Sequence, residues 1–96
     1  MDPWPAQRNV TAARLRALRA RQVRSELQAG VLTLGQALDD PSVRGLTVGR
    51  VVMWMPSYGP QKVNELLTGV VPAIHPGRRC GELTERQRAL LEEAVR

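Results

Sequence analysis

Apolar residues recur along most of this chain at spacings of three and four, the periodicity of helices that bury one face. A stretch rich in Ala, Leu, Arg and Gln over 11–30 predicts the longest helix, capped by Thr11 and ended by Gly30. Its apolar positions form two thin stripes, Leu15 with Leu18 and Val23 with Leu27. Arginines surround the first stripe, so we expect the N-terminal part of this helix to pack poorly without a partner.

Residues 1–10 are predicted to form a flexible arm ahead of that helix, because Pro3 and Pro5 disfavour helical backbone in the residues before them. The same stretch lacks the continuous apolar core of a signal peptide. No run in the chain approaches the roughly 18 apolar residues that cross a bilayer. We therefore expect a cytoplasmic protein with no membrane partner.

Helix caps and stops predict the elements of the remaining chain, 31–96. Thr33 and Thr84 each precede a Gln three residues later, the spacing of a capping box, and Asp39-Asp40-Pro41 stops the first of these two helices. The terminal helix then carries one apolar face: Leu83, Gln87, Leu90, Leu91, Ala94 and Val95.

Two helices joined by a tight turn are predicted between these caps. Thr47 caps an apolar run from Val48 to Met55, for which a β-strand is the rival interpretation; helix is preferred because the chain offers no partner strand. In the turn, Gly59 is free to adopt a positive φ, and Pro60 suits the first position of a helix that ends at Gly69. Residues 70–82 hold two prolines and two glycines and predict an irregular basic loop.

Composition agrees with a helical interior. Phe is absent, and only Trp4, Trp54 and Tyr58 are aromatic, so Leu, Val and Ala must fill the core. Ninety-six residues fit one small domain. The sequence therefore predicts an all-α, single-domain protein of about five helices, and we expect it to be a monomer.

Charge points to a polyanionic partner. Fourteen Arg and Lys against nine Asp and Glu give a formal charge of +5, and residues 1–30 carry +4 of the excess. Thirteen of the fourteen cations are Arg, which binds phosphate or a base edge with two parallel hydrogen bonds. Three basic elements are candidate nucleic-acid contacts: the turn with Gly59 and Lys62, the loop with Arg78 and Arg79, and the first helix with Arg14, Arg16, Arg19, Arg21 and Arg24.

Catalytic chemistry is poorly represented. The single histidine, His75, sits between Ile74 and Pro76 as a loop surface residue, and the Asp39-Asp40 pair has no third metal ligand near it in sequence. The single cysteine, Cys80, follows Arg79, which could lower its pKa, but no paired base accompanies it. We expect neither an enzyme, nor a cofactor, nor a metal site.

The order of landmarks from Leu27 to Leu91 resembles the actinobacterial integration host factors. That family has a Pro-Gly-Val-Gly-Lys-Val-Arg turn and an Arg-Arg-Val-Arg-Gly-Leu-Gly loop before a terminal helix. Here the turn is Pro56-Ser57-Tyr58-Gly59-Pro60-Gln61-Lys62 and the loop is Arg78-Arg79-Cys80-Gly81-Glu82-Leu83-Thr84. The resemblance covers about two-thirds of the chain. Ser57, Pro60 and Gly81 depart from the family pattern, as in a divergent or actinophage-encoded relative.

The resemblance implies a helix-two-turns-helix core over 31–96 and sequence-tolerant binding of double-stranded DNA. It further implies a nucleoid-associated, architectural role and participation in an integrase–DNA complex. By match it implies phosphate contacts at Gly59, Lys62, Arg78 and Arg79. Two alternatives stay open: a protein-interaction module whose basic surface meets an acidic partner, and a binder of structured RNA.

Overall fold

The computed structural model describes the backbone of residues 4–96 and the side chains of residues 11–96. Its five helices are α1 (Trp4–Gln28), α2 (Leu34–Asp39), α3 (Val48–Val52), α4 (Pro60–Gly69) and α5 (Glu85–Ala94). Short 3-10 turns occur at Pro41–Val43 and Cys80–Glu82. No strand occurs between residues 4 and 96, so the all-helical prediction is confirmed and the strand interpretation of the run from Val48 is wrong.

The predicted helix starts are confirmed by their hydrogen bonds. The hydroxyls of Thr33 and Thr84 accept from the backbone N–H groups of Gln36 and Gln87, at 3.2 and 3.1 Å. Each Gln carbonyl oxygen accepts in return from the backbone N–H of its Thr, at 3.0 and 2.9 Å. Thr47 likewise accepts from the N–H of Arg50 at 3.3 Å. These local signals fix three of the five starts in the described chain.

Helix α1 begins at Trp4, seven residues before the predicted start at Thr11, so most of the predicted arm is helical. The reason is the position of Pro5, which falls in the first turn of α1, where a backbone N–H has no partner inside the helix to lose. Residues 1–3 of that prediction lie outside the described chain. The predicted end is confirmed, since Gly30 follows α1 with a φ of 77°.

Helix α3 is shorter than predicted, and the turn after it differs. It ends at Val52 rather than Met55 because the chain tightens there, with the N–H of Met55 donating to the carbonyl of Val52 at 3.0 Å. The residue with positive φ is Ser57, at 66°, and Gly59 is extended at φ −94°. The prediction of a positive φ at Gly59 is therefore wrong, because the positive φ occurs two residues earlier, at Ser57.

The core lies where α2 packs against α5, α3 packs against α4, and the C-terminal half of α1 covers α2 and the turn at Pro41–Val43. Trp54 is buried in this core, whereas Met53 is 45% exposed. The largest fully buried side chains of the core are mostly branched aliphatics: Leu34, Leu38, Leu67, Leu91, Val23, Val43, Val48, Val51 and Val52, with Cys80.

The two halves of α1 differ in burial. Val23 and Leu27 are buried against the core, while the side chains of residues 11–18 are all exposed. The expected weak packing of the Leu15 and Leu18 stripe is therefore confirmed. In the described chain no helix, α1 included, is long and apolar enough to cross a bilayer.

Candidate functional site

A main-chain pairing fixes the loop that carries Arg78 and Arg79. Residues 76–81 run beside residues 44–49, and four backbone hydrogen bonds join the two segments. These are Val48 N–H to Arg78 O (2.7 Å), Cys80 N–H to Leu46 O (2.9 Å), Gly49 N–H to Pro76 O (3.0 Å) and Gly81 N–H to Arg44 O (3.1 Å). The predicted irregular loop thus has a defined course, set against the start of α3.

The pairing depends on Gly49, a buried glycine inside α3. A Cβ added there would lie 3.1 Å from both the Cβ and the carbonyl oxygen of Pro76. Alanine at this position would require Pro76 to shift by a few tenths of an ångström. The glycine therefore permits the close approach that brings the paired arginines next to Arg44.

An open cleft of about 600 Å³ lies between α1 and this paired region. We call it the arginine cleft. No Asp or Glu of the described chain lines it. Five of its lining side chains are arginines: Arg16, Arg21, Arg24, Arg44 and Arg50. All five are exposed, and no ion pair engages them within the described chain. Leu46 and Trp54 form apolar parts of the lining.

Three elements supply these arginines. Arg16, Arg21 and Arg24 stand at spacings of five and three on α1, so they share one side of that helix with Ala17 and Ala20. Arg44 follows the turn at Pro41–Val43, and Arg50 lies in α3.

An ion pair sets the position of α1 above the cleft. The Nε and Nη2 of Arg19 donate to one carboxylate oxygen of Asp40, at 3.1 and 3.0 Å. Arg19 also lies 3.7 Å from Glu26. The sequence predicts a DNA contact for Arg19. In the structure, Asp40 and Glu26 balance its charge, and it does not line the arginine cleft. The structure gives it the role of joining α1 to the core.

Asp40 is held ionised at this junction. Burial raises the pKa of its carboxyl, but hydrogen bonds from the hydroxyl and N–H of Ser42, then the hydrogen bond and charge of Arg19, outweigh that effect and leave it below the ordinary 3.8. The Ser42 bonds measure 2.7 Å from the hydroxyl and 3.0 Å from the N–H. Asp40 thus stops α2, as predicted, and also holds α1.

A second groove, of about 410 Å³, adjoins the arginine cleft and shares Arg50 with it. Pro60 and Asn64 of α4 line it on one side and Gly77 on the other. It therefore connects the start of α4, one predicted contact, with the loop of Arg78. Lys62 is not among its lining residues.

The start of α4 offers free backbone donors. Gly59 is the N-cap, and no side chain accepts from the first N–H groups of this ten-residue helix. Lys62 is exposed, with its Nζ 5.0 Å from the centre of the Tyr58 ring. The positive end of α4 and the Lys62 ammonium lie in the same turn of helix, an arrangement suited to an anion.

Arg78 and Arg79 are exposed and line neither groove, but they follow Gly77, which lines the second one. The Arg79 guanidinium donates to the carbonyl of Gly45 at 3.2 Å, and Gly45 lines the arginine cleft. That single bond leaves the remaining guanidinium donors of Arg79 for a ligand. Arg14 of α1 lies outside the lining of both grooves.

The sequence allows Arg44 and Arg50 to extend the predicted basic surface but does not assign them to it. In the sequence each stands alone between apolar or small residues, and no local motif marks it. The one local feature they share is that they flank the helix cap Thr47, one on each side. Only the packing of α1 over this cap brings them opposite Arg16, Arg21 and Arg24.

Cys80, His75 and Arg88 are each buried or bonded within the fold. Cys80 is fully buried, and burial raises its pKa to about 11, so the proposed lowering by Arg79 is wrong. His75 is exposed, as expected, and its Nδ1 accepts from the N–H of Gly77 at 2.9 Å. Arg88 lies 3.5 Å from Asp39 and donates to the carbonyl of Leu83 at 2.9 Å. Within the described chain, no three His, Cys, Asp or Glu residues gather closely enough to hold a metal ion.

No protein-family model matches the chain, and comparisons with curated proteins and with solved structures find no significant match.

Proposed function

We propose that this chain is a DNA-binding architectural protein that grips the phosphate backbone of duplex DNA and has no catalytic activity. The observation that carries the proposal is the arginine cleft, where five exposed arginines line one surface without a carboxylate. Like charges gathered in this way repel one another, and an anionic ligand relieves the repulsion. The guanidinium group matches the geometry of phosphate oxygens.

A chain of phosphates suits this surface better than a single small anion. The cleft opens to solvent and shares Arg50 with the groove at the start of α4. The exposed Arg78 and Arg79 follow Gly77, which lines that groove. A polyanion can use all of these groups together. Contacts made to phosphates position a protein on DNA without selecting its sequence, so we expect sequence-tolerant binding.

The family resemblance supports the same function. Ser57 occupies the place of the first glycine in the integration host factor turn, and its φ of 66° is a conformation that glycine adopts readily. The helix-two-turns-helix arrangement of 31–96, the nucleoid location and a role beside an integrase belong to this proposal. A structured-RNA ligand is less favoured because Trp54, the aromatic side chain of the cleft, is only 9% exposed and offers no stacking face.

Charge reversal at Arg44 and Arg50 tests the proposal. The Arg44→Glu/Arg50→Glu protein should lose at least about tenfold in affinity for duplex DNA at constant salt, because two attractions become repulsions. Gel shifts with a duplex, a single strand and a hairpin RNA measure the loss. Equal binding of the parent and the variant to duplex DNA would refute the assignment, and parent binding to the RNA alone would favour the RNA alternative.

Arg86→Glu is the matched control. Arg86 is exposed on α5 and makes no ion pair within the described chain, so its reversal changes the net charge by the same amount per residue. Arg88 cannot serve, because its bonds to Asp39 and Leu83 would be lost and stability would fall. Circular dichroism and thermal melting confirm that each variant is folded before binding is compared.

A further inference from the structure

The arginine cleft has α1 as one wall and the core as the other. Arg16, Arg21 and Arg24 stand on the first wall, and Arg44 and Arg50 stand on the second. The cleft volume of about 600 Å³ equals that of a cube about 8 Å on each side, whereas the major groove alone of a DNA duplex is about 12 Å wide. A single sugar–phosphate strand can enter such a cleft, and a whole duplex cannot.

A strand held between these two walls places α1 in one of the grooves of the duplex. Each strand of B-form DNA separates the major groove from the minor groove, so the two walls beside a bound strand face one groove each. An α-helix with its side chains is about 10 to 12 Å across. The major groove, about 12 Å wide, admits such a helix, and the minor groove, about 6 Å wide, does not.

The exposed half of α1, residues 11–18, is shaped for this groove. All eight of its side chains are exposed, and the segment is about 12 Å long at 1.5 Å per residue. Leu15 and Leu18, which are 60% and 51% exposed, can lie against base edges, where the thymine methyl group is an apolar partner. Five of the eight residues are Ala or Leu and offer no hydrogen bond to a base, so entry into the groove agrees with sequence-tolerant binding.

The charge of α1 favours the same contact. From Trp4 to Ser25 the helix contains no Asp or Glu. Arg14 is exposed outside the cleft lining, and no ion pair engages it within the described chain. At about 100° per residue, Arg14 points about 160° away from the mean direction of Val23 and Leu27 and about 90° from that of the cleft-lining residues of α1. It therefore lies beside the cleft on the side that faces away from the core.

We propose that α1 lies in the major groove of duplex DNA, with one strand seated in the arginine cleft and the exposed half of the helix against the base edges. This placement rests on the proposed DNA binding and names the groove that the protein occupies. The cleft arginines then neutralise phosphates of the strand that borders the groove. Arg14 contacts the groove itself, where guanine O6 and N7 accept hydrogen bonds.

A duplex with a filled major groove tests the placement. Two duplexes of one sequence are compared, one with ordinary cytosine and one whose cytosines carry glucose on a 5-hydroxymethyl group. The glucose occupies the major groove and leaves the phosphates and the minor groove unchanged, because position 5 of a pyrimidine points into the major groove. In gel shifts the parent should bind the glucosylated duplex with at least about tenfold lower affinity.

Chemical protection gives a second readout that does not need a fixed binding register. Dimethyl sulfate methylates guanine at N7, in the major groove, and adenine at N3, in the minor groove. The parent protein, at saturation on the ordinary duplex, should protect guanine N7 and leave adenine N3 reactive.

Arg14→Glu identifies α1 as the element in the groove. This variant should lose at least about tenfold in affinity for the ordinary duplex. On the glucosylated duplex, which excludes α1, it should lose no more than the control Arg86→Glu does. Arg44→Glu/Arg50→Glu should weaken binding to both duplexes, because the phosphates stay accessible in each. Circular dichroism confirms that each variant keeps the helix content of the parent.

The outcomes separate the placement of α1 from the DNA binding on which it rests. Equal affinity of the parent for the two duplexes, or protection of adenine N3 instead of guanine N7, overturns the placement while the proposed function stands. An equal loss from Arg14→Glu on both duplexes means that another element fills the groove, and it overturns the placement as well. If the parent binds neither duplex, the proposed function itself fails and the placement falls with it.

Discussion

Asp40 accepts hydrogen bonds from two different parts of the chain, Arg19 on α1 and Ser42 in the turn that follows α2. Its side chain is only 13% exposed, so removing Arg19 would leave the carboxylate without its counter-charge in a partly buried place. Removing the Ser42 donors would cost it two hydrogen bonds. This one residue links the end of α2 to the middle of α1. It therefore influences both stability and the shape of the arginine cleft.

We expect Asp40→Ala to lower the free energy of unfolding by about 2 kcal/mol at pH 7, since it removes charge-assisted hydrogen bonds and leaves Arg19 with Glu26 alone. The pKa of Asp40 is lowered in the folded state, so its contribution is full above the ordinary value of 3.8 and is lost as pH falls through the folded value. Urea unfolding of the parent and the variant at several pH values measures the difference. A difference that stays constant down to pH 2 would contradict this role.

Sequence reasoning could not separate Arg19 from the other arginines of α1. Arg14, Arg16 and Arg19 each lie between an Ala and a Leu, and only the folded position of Asp40, 21 residues away, singles out Arg19. Arg88 shows the same limit, because its partner Asp39 lies on α2. Roles that depend on contacts distant in sequence are invisible to local patterns.

At the scale of elements, α1 combines a structural half with an exposed half. Val23 and Leu27 bury the C-terminal half against the core, and residues 11–18 extend beyond it. A helix whose packing ends midway keeps its exposed turns through intrahelical hydrogen bonds and good helix formers such as Ala, Leu and Arg. The exposed half therefore presents side chains to partners without supporting the core.

We predict unequal costs for two Leu→Ala substitutions on α1. Leu27→Ala should destabilise the protein by about 2 to 4 kcal/mol because it leaves a cavity in the core, and Leu15→Ala should change stability by less than about 0.5 kcal/mol. Thermal or urea unfolding of the pair measures both. Equal costs would mean that the exposed half packs against the rest of the chain in solution.

Most helix boundaries could be predicted because their signals are local. Thr33, Thr47 and Thr84 cap helices through residues three positions later, and Gly30 ends α1 through its own backbone. The start of α1 and the end of α3 could not be predicted in the same way. Pro5 is compatible with either a flexible arm or the first turn of a helix. Helix α3 ends where the chain has to turn, although the apolar run of the sequence continues beyond Val52.

At the scale of the molecule, the described chain has one groove rich in arginine and another rich in acidic residues. The arginine cleft carries five arginines, whereas a groove of about 300 Å³ between α2 and α5 is lined by Asp39, Glu85 and Glu92 around Arg88. A polyanion approaching the protein would be attracted by one face and repelled by the other. The separation therefore orients the molecule on its ligand. Sequence indicated the excess of charge near the N-terminus, and folding determined which arginines face each other.

The salt dependence of binding follows from the cleft. If each of its five arginines neutralises one phosphate, log affinity should fall against log salt concentration with a slope of about −4.5. Titrations of one duplex at several salt concentrations measure the slope, and Arg44→Glu/Arg50→Glu should make it shallower by about 2. A slope near zero would exclude phosphate contacts as the source of affinity.

The segment 76–81 is held to 44–49 by main-chain hydrogen bonds, so its course does not depend on which side chains stand at positions 78 and 79. Such a scaffold is already ordered before a ligand arrives, and little conformational entropy is lost on binding. The scaffold also lets the side chains of this segment change without a change in its backbone. Mutation can exchange the side chains at this edge and so alter affinity or ligand preference, while Gly49 and the backbone pairing preserve the frame on which each new side chain is displayed.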